Sequence, residues 1–376
     1  MTHPVRLLRA ASALALWAMP AVAAESGIEA QFRRWMVGCD NVRTCRAIGL
    51  PADDDASDGA ALIVDRSGEG SAKPALRLRL NRPDDETKPL QGAFDLAVDD
   101  KVLGRLEVGR NFPIERDDAG RWAGDIADPA LEAALLAALR TGRSVTARRP
   151  DGDVLARISL DGAAAALLFV DDRQRRIGTR GALMRPGDKP DGAVPAPPAL
   201  PDLPPVPVRA GGAAPKAAPA EVKRLFDADV AREDCDADVA KGAKPTGYRL
   251  GARVLMFSFP CWRGAYQGTD AYYLYSETAS PKAQPINLPR PPVRPVPGQA
   301  SEPASPGHMV TGDGYDSASG EIIEYAKGRG LGDCGSVGHW RWTGRGFALT
   351  YYSSMPECAG LDHDDWLTLM RSRERE

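Results

Sequence analysis

Leu76, Leu78 and Leu80 recur at every second position, with Arg77 and Arg79 between them. That period sends the leucines to one face of a strand and the arginines to the other. Phe94, Leu96 and Val98 repeat it. Further on, Ser144 to Arg148 and Val154 to Leu160 flank Asp151-Gly152, a pair suited to the positive φ of a tight turn, so an antiparallel hairpin is predicted. One segment changes period. Leu131, Leu135 and Leu139 line one helical face, Asp128 can cap the start, Pro129 suits the first turn and Gly142 can end it. From about Gly27 to Met184 the pattern predicts a mostly antiparallel β domain with one helix.

The second half opens with a helix-like segment, Glu221 to Arg232. Strand-like runs follow at Arg253 to Phe259, Ala271 to Tyr275, Gly320 to Tyr325, Trp340 to Trp342 and Phe347 to Tyr352. Asp316 to Gly320 and Thr343 to Gly346 have the composition of hairpin turns. Between the halves, Pro186 to Pro219 is dominated by proline, alanine and glycine and contains no aromatic residue. Such a stretch buries too little apolar surface to offset its ordering entropy, and reads as an extended, semi-rigid spacer. A second proline-rich stretch, at 281–306, reads as a long surface loop. The predicted fold class is mainly β: two antiparallel β domains, sandwich- or barrel-like, joined by a proline-rich linker, with one or two short helices. The boundaries are 1–24 for a leader, 25–185, 186–219 for the linker, and 220–376.

The leader changes the reading of the cysteines. Arg6 and Arg9 precede an apolar run from Ala10 to Val22 and the small-residue site Ala21-Val22-Ala23-Ala24, the pattern of a cleaved signal peptide. Export to the periplasm or beyond places the chain where thiols persist as disulfides. Proximity pairs the six cysteines as Cys39–Cys45, Cys235–Cys261 and Cys334–Cys358, with no bridge across the linker. The 376 residues carry a formal net charge of −3, which supplies no basic face for nucleic acid. No later apolar run approaches the ~20 residues of a membrane-spanning helix.

Candidate chemistry centres on Lys327-Gly328-Arg329-Gly330-Leu331-Gly332-Asp333-Cys334-Gly335. Glycines free the backbone to turn N–H groups toward an anion, and Lys327 and Arg329 add charge. It is no nucleotide phosphate loop, because no Lys-Ser or Lys-Thr follows the glycines. The plainer reading is a turn that carries Cys334 into its disulfide. Gly332-Asp333-Cys334-Gly335 also has the look of a cysteine-protease nucleophile loop, but His308, His339 and His363 are the histidines past the leader, and a bridged Cys334 is no nucleophile. Asp362-His363-Asp364-Asp365 could offer metal ligands; adjacent residues of an extended segment point apart, however, and a solvated acidic turn is the reading taken. Asp313 to Glu324 fails the calcium-loop pattern for want of a glycine at its sixth position, and Asp53-Asp54-Asp55 reads as an exposed loop. No metal site and no cofactor is therefore assigned. Trp35, Trp262, Trp340 and Trp342 lie beside cysteines and are expected in the core, whereas some of Tyr266, Tyr272, Tyr273 and Tyr275 should face outward.

Two stretches together are familiar: Phe32 to Ala47, with Trp35, Cys39, Asp40-Asn41 and Cys45, and the Lys327 to Gly335 segment followed by Trp340 to Gly344, Phe347 to Leu349 and Cys358-Ala359-Gly360. Between them lie Ile158 to Gly162, Asp171 to Thr179 and Cys261 to Tyr266. In this order they resemble the bacterial periplasmic family labelled domain of unknown function 1176. The first half also resembles the invasion-associated locus B proteins, small secreted β domains. The resemblance implies an envelope protein and brings no reaction with it; Asp40, Asn41 and Gln174 are its notable polar members, and the Pro186 to Pro219 spacer is additional to the family pattern. The function expected is non-enzymatic binding or interaction in the cell envelope, with Lys327, Gly328, Arg329, Gly330, Gly332 and Asp333 as ligand-contacting residues. The partner would be an envelope component, a protein or an anionic ligand. Two rival classes are an envelope hydrolase using carboxylates such as Asp333, Asp362 or Asp364, and an inhibitor of an envelope-degrading enzyme.

Overall fold

The computed structural model describes residues 27–52, 59–80, 90–116, 120–205, 215–292 and 307–373. The expected leader, Asp53 to Asp55, the 206–214 part of the spacer and the 293–306 part of the proline-rich loop lie outside the described residues.

The chain begins with β1 (Ile28–Phe32), β2 (Trp35–Cys39), β3 (Cys45–Gly49), β4 (Ala61–Arg66) and β5 (Ala75–Arg79), each antiparallel to the one before. Next come β6 (Ala93–Val98), β7 (Lys101–Glu107), β8 (Ile114–Arg116), β9 (Trp122–Asp125), α1 (Pro129–Ala138), β10 (Ser144–Arg148), β11 (Val154–Ser159) and α2 (Ala163–Arg173). The second half holds α3 (Ala220–Ala231), α4 (Ala237–Ala240), β12 (Thr246–Gly251), β13 (Val254–Arg263), β14 (Gly268–Ser276) and β15 (Lys282–Pro285). It ends with β16 (Met309–Thr311), β17 (Gly314–Asp316), β18 (Glu321–Lys327), β19 (Gly335–Trp342), β20 (Phe347–Met355) and β21 (Leu367–Met370). These strands form four antiparallel sheets: β1-β2-β3-β4-β5-β9-β8; β11-β10-β6-β7; β12-β13-β14-β15 with β16 on β14; and β17-β18-β19-β20-β21. No sheet closes into a barrel among the described residues.

The mainly β class holds, and the hairpin around Asp151-Gly152 forms with Gly152 at φ 97°. In α1 the Asp128 carboxylate accepts from the Ala130 and Leu131 N–H groups at 2.9 and 3.2 Å, satisfying donors the helix leaves open. Two helices join the two expected ones. The short α4 is capped by Asp236. The longer α2 starts at Gly162, at φ 99°, without any side-chain cap, so the sequence carries no start signal for it.

The first sheet is buried on both faces. Trp35, Val37, Ala47, Leu62, Leu76 and Leu78 pack with residues of the second sheet, α1 and α2. Met36, Ile48, Ala61 and Ile63, on the opposite face, share a core with Met256, Tyr272, Ile322, Trp340, Trp366, Leu367 and Leu369 from the second half. Along β13 and β14 the faces alternate again: Phe257 and Tyr273 join Val222 and Phe226 of α3 in a third cluster, while Met256 and Tyr272 look toward the first sheet. Each such large apolar side chain taken from water contributes roughly 1.5–3 kcal/mol. The spacer is pinned as well. The Lys189 N–H donates to the Gly178 carbonyl, Val194 is buried, and Leu203 and Arg373 bond through their backbones.

Candidate functional site

The glycine-rich segment is the loop between β18 and β19, and the Cys334–Cys358 bridge fastens its end. Cys39–Cys45 and Cys235–Cys261 are also paired, so all three disulfides follow sequence proximity. Inside the loop, Gly328 N–H donates to the Cys334 carbonyl at 2.8 Å and Gly332 N–H to the Arg329 carbonyl at 2.9 Å. The Arg329 guanidinium forks onto the buried Asp333, with Nε to Oδ1 at 2.7 Å, and Asp333 Oδ2 also accepts the Gly360 N–H at 2.6 Å. Burial pushes the Asp333 carboxyl up, but Arg329 and the Gly360 N–H outweigh it and hold it below the usual carboxylate range. Lys327 Nζ sits 5.0 Å from the Tyr325 ring centroid, and the Tyr325 hydroxyl donates to the Gly332 carbonyl at 2.8 Å. The loop therefore has a fixed shape, and its arginine already holds a carboxylate.

The tip of the β13–β14 hairpin is clamped against this loop. Gln267 Nε2 donates to the Lys327 carbonyl at 3.2 Å, and Gln267 Oε1 accepts the Lys327 N–H at 3.0 Å. The neighbouring Tyr266 ring lies against Gly330, where a methyl group would come within 3.4 Å of Cδ1. Three large apolar side chains stand open on these two segments: Leu331 at 80 % exposure, Tyr266 at 50 % and Trp262 at 45 %. Trp262 is thus a correction to its expected core placement. It sits at the hairpin's end, where its indole N–H reaches the Asp234 carbonyl at 2.8 Å, whereas Trp35, Trp340 and Trp342 are buried as expected. Of the tyrosines, Tyr272 and Tyr273 are buried, Tyr275 is half-buried and Tyr266 is exposed. Gln267 carries no local signal; only a contact across 60 positions of sequence reveals it.

The other acidic candidates fall elsewhere. Asp362, His363 and Asp364 do converge, because the segment is a 3-10 turn rather than extended: His363 Nδ1 is 2.8 Å from Asp362 and Nε2 3.4 Å from Asp364. Asp365 turns inward to meet Arg79. A second buried cluster joins α3 to β14. Tyr273 donates to Asp229, and His308 Nε2 lies 2.9 Å from the same oxygen. Burial raises the Asp229 carboxyl, yet His308 and Tyr273 together hold it below its usual range.

The polar residues singled out by resemblance are structural joints. Asp40 accepts from Val42 and Thr44 N–H groups and from Arg371, while Asn41 exchanges two hydrogen bonds with the Arg371 backbone. Gln174 donates to three main-chain carbonyls.

Fold and site together define a disulfide-stapled protein of four antiparallel sheets with an exposed aromatic–glycine surface. The chain belongs to the family described as Protein of unknown function (DUF1176), whose family model matches residues 29–373. It is 28% identical over 372 residues to the uncharacterized protein YpfG of Escherichia coli (strain K12), covering 95% of each chain. Its likeness to the crystal structure of invasion associated protein b from Bartonella henselae covers 39% of this chain and 98% of that one, at 17% identity and a TM-score of 0.29, too slight to carry an argument. No helix among the described residues is long and apolar enough to cross a membrane, and three disulfides fit an oxidising compartment.

Proposed function

We propose that this protein is a non-enzymatic interaction module of the cell envelope, and that its contact surface is the Lys327 to Asp333 loop together with the hairpin tip carrying Trp262 and Tyr266. One observation carries the reading. Of the five large apolar side chains left exposed among the described residues, three belong to these two clamped segments. Exposed aromatics on a rigid support cost little entropy on binding and are frequent anchors of interfaces. With Arg329 held by Asp333 and the Gly328 and Gly332 N–H groups used inside the loop, recognition runs mainly through the rings and Leu331, with Lys327 at the rim.

Photo-cross-linking in cells tests it. A benzoyl-phenylalanine placed at Leu331 is expected to capture one discrete partner, and Trp262→Ser with Tyr266→Ser to abolish that adduct. The control position is Val102, exposed on β7. Equal labelling from Leu331 and Val102, or an adduct indifferent to the double substitution, removes the assignment.

A further inference from the structure

We propose that the segment following α2, residues 175–189, is a docking platform for an anionic phospholipid surface, separate from the hairpin-and-loop surface. Its backbone folds into two strips held side by side. Gly178 N–H donates to the Arg185 carbonyl, Lys189 N–H to the Gly178 carbonyl, and Arg180 N–H to the Lys189 carbonyl, at 2.9, 3.1 and 2.9 Å. Beneath it lies a buried polar frame. Asp171 accepts the Leu183 and Met184 N–H groups at 2.8 and 2.7 Å. Gln174 Nε2 donates to the Arg43, Arg66 and Ser67 carbonyls. Arg176 donates to Gln174 Oε1, the Gly70 carbonyl and the Glu69 carbonyl. Asp191 accepts the Gly181 N–H at 2.8 Å. These bonds all form together only in one loop conformation, so the frame fixes what the loop displays.

Three of the cations that the loop displays have no acidic partner among the described residues. Arg180, Arg185 and Lys189 are exposed and form no ion pair among the described residues. Arg175 is exposed beside them, and Ile177, at 39 % exposure, stands on the same segment. Asp172, Asp188 and Glu69 are the exposed acids nearby, so the four exposed cations outnumber them by one in a chain that is acidic overall. A local surplus of cations around an open branched aliphatic side chain matches a headgroup layer, where phosphates meet the arginines and lysine and the apolar group reaches the acyl boundary. A soluble polyanion would use the charges and leave Ile177 idle.

Co-sedimentation of the oxidised full protein with vesicles tests this. One set is phosphatidylcholine alone and the other is phosphatidylcholine mixed with phosphatidylglycerol. Binding is expected to the mixed vesicles only, and to weaken with salt. Arg180→Glu with Lys189→Glu should reduce partitioning by about tenfold or more, and Ile177→Ser by about threefold at unchanged charge. Unchanged thermal melting confirms that these surface variants fold. Equal binding to both vesicle types, no binding to either, or full retention by the double variant overturns the proposal. Retention by Ile177→Ser together with tight binding of inorganic polyphosphate would overturn it too, and would assign the patch to soluble polyanions.

Discussion

Arg371 reaches across 331 positions of sequence to place its Nε 2.5 Å from Oδ2 of Asp40, inside the turn closed by the Cys39–Cys45 bridge. The C-terminal end of the fold is thereby fastened to its N-terminal hairpin. Asn41 and the Arg371 backbone exchange two further bonds at the same joint. Arg371→Ala leaves the Asp40 carboxylate buried without its counter-charge. Since the arginine is itself partly exposed, the expected loss is about 2 kcal/mol, below the value for a wholly buried pair. A urea titration checks it, and a change under about 0.5 kcal/mol would show that water replaces the guanidinium.

Gln174→Leu should cost more than its size suggests. It strips a donor from three carbonyls and an acceptor from Arg176 Nε while keeping the apolar volume. Orphaned buried polar groups of this kind bring the expected loss to about 3 kcal/mol. Hydrogen exchange would read the consequence locally: the Gly178, Arg180 and Lys189 amides should exchange faster than those of β13. Equal protection in the variant would mean that the 175–189 segment does not depend on the frame.

The strand pattern was legible because it is local, and its limits show in one pair of residues. Leu76, Leu78 and Leu80 are buried as their period requires. Arg77 and Arg79 alternate with them and would face water on that pattern alone. Arg77 does reach the rim, where it pairs with Glu115 and Asp125. Arg79 is fully buried against Asp365 of the second half. A sheet covered on both faces breaks the link between alternation and exposure, and the covering element lies 286 positions away. For the same reason Met36 and Trp35, neighbours in β2, enter different cores. The candidate surface was half legible. Glycines and cysteines mark the loop, but the open tip of the β13–β14 hairpin joins it only through Gln267, a tertiary contact without sequence spacing to announce it.

The three bridges should differ in worth. Cys39–Cys45 closes a separation of 6 residues inside a hairpin that β pairing already holds, whereas Cys235–Cys261 closes 26 and Cys334–Cys358 closes 24. Loop-closure entropy in the unfolded chain gives about 2 kcal/mol for the first and about 3.5 kcal/mol for each of the others. Paired Cys→Ser variants are expected to follow that order in thermal melting. Greater damage from Cys39→Ser with Cys45→Ser than from either long bridge would show that strain in the folded state, not chain entropy, sets the ranking.

Glu29 offers a test whose sign is fixed by burial. It sits on β1 with Oε2 lacking a hydrogen-bond partner among the described residues. Burial pushes its carboxyl above the usual range, against the opposing bond from Ser354. Glu324 is raised in the same way despite Arg290. A carboxyl with a raised folded pKa keeps its proton after the unfolded chain has released it, near pH of about 4.3. From there upward the folded state binds more protons, so its stability falls with rising pH until the folded pKa is passed. Glu29→Gln keeps the shape and removes that ionisation. The variant should melt higher than the parent at about pH 7 and gain little at about pH 4, where both side chains are neutral. A variant less stable at the higher pH would mean that Glu29 is ionised and paired in the folded protein, and that the burial argument has the wrong sign.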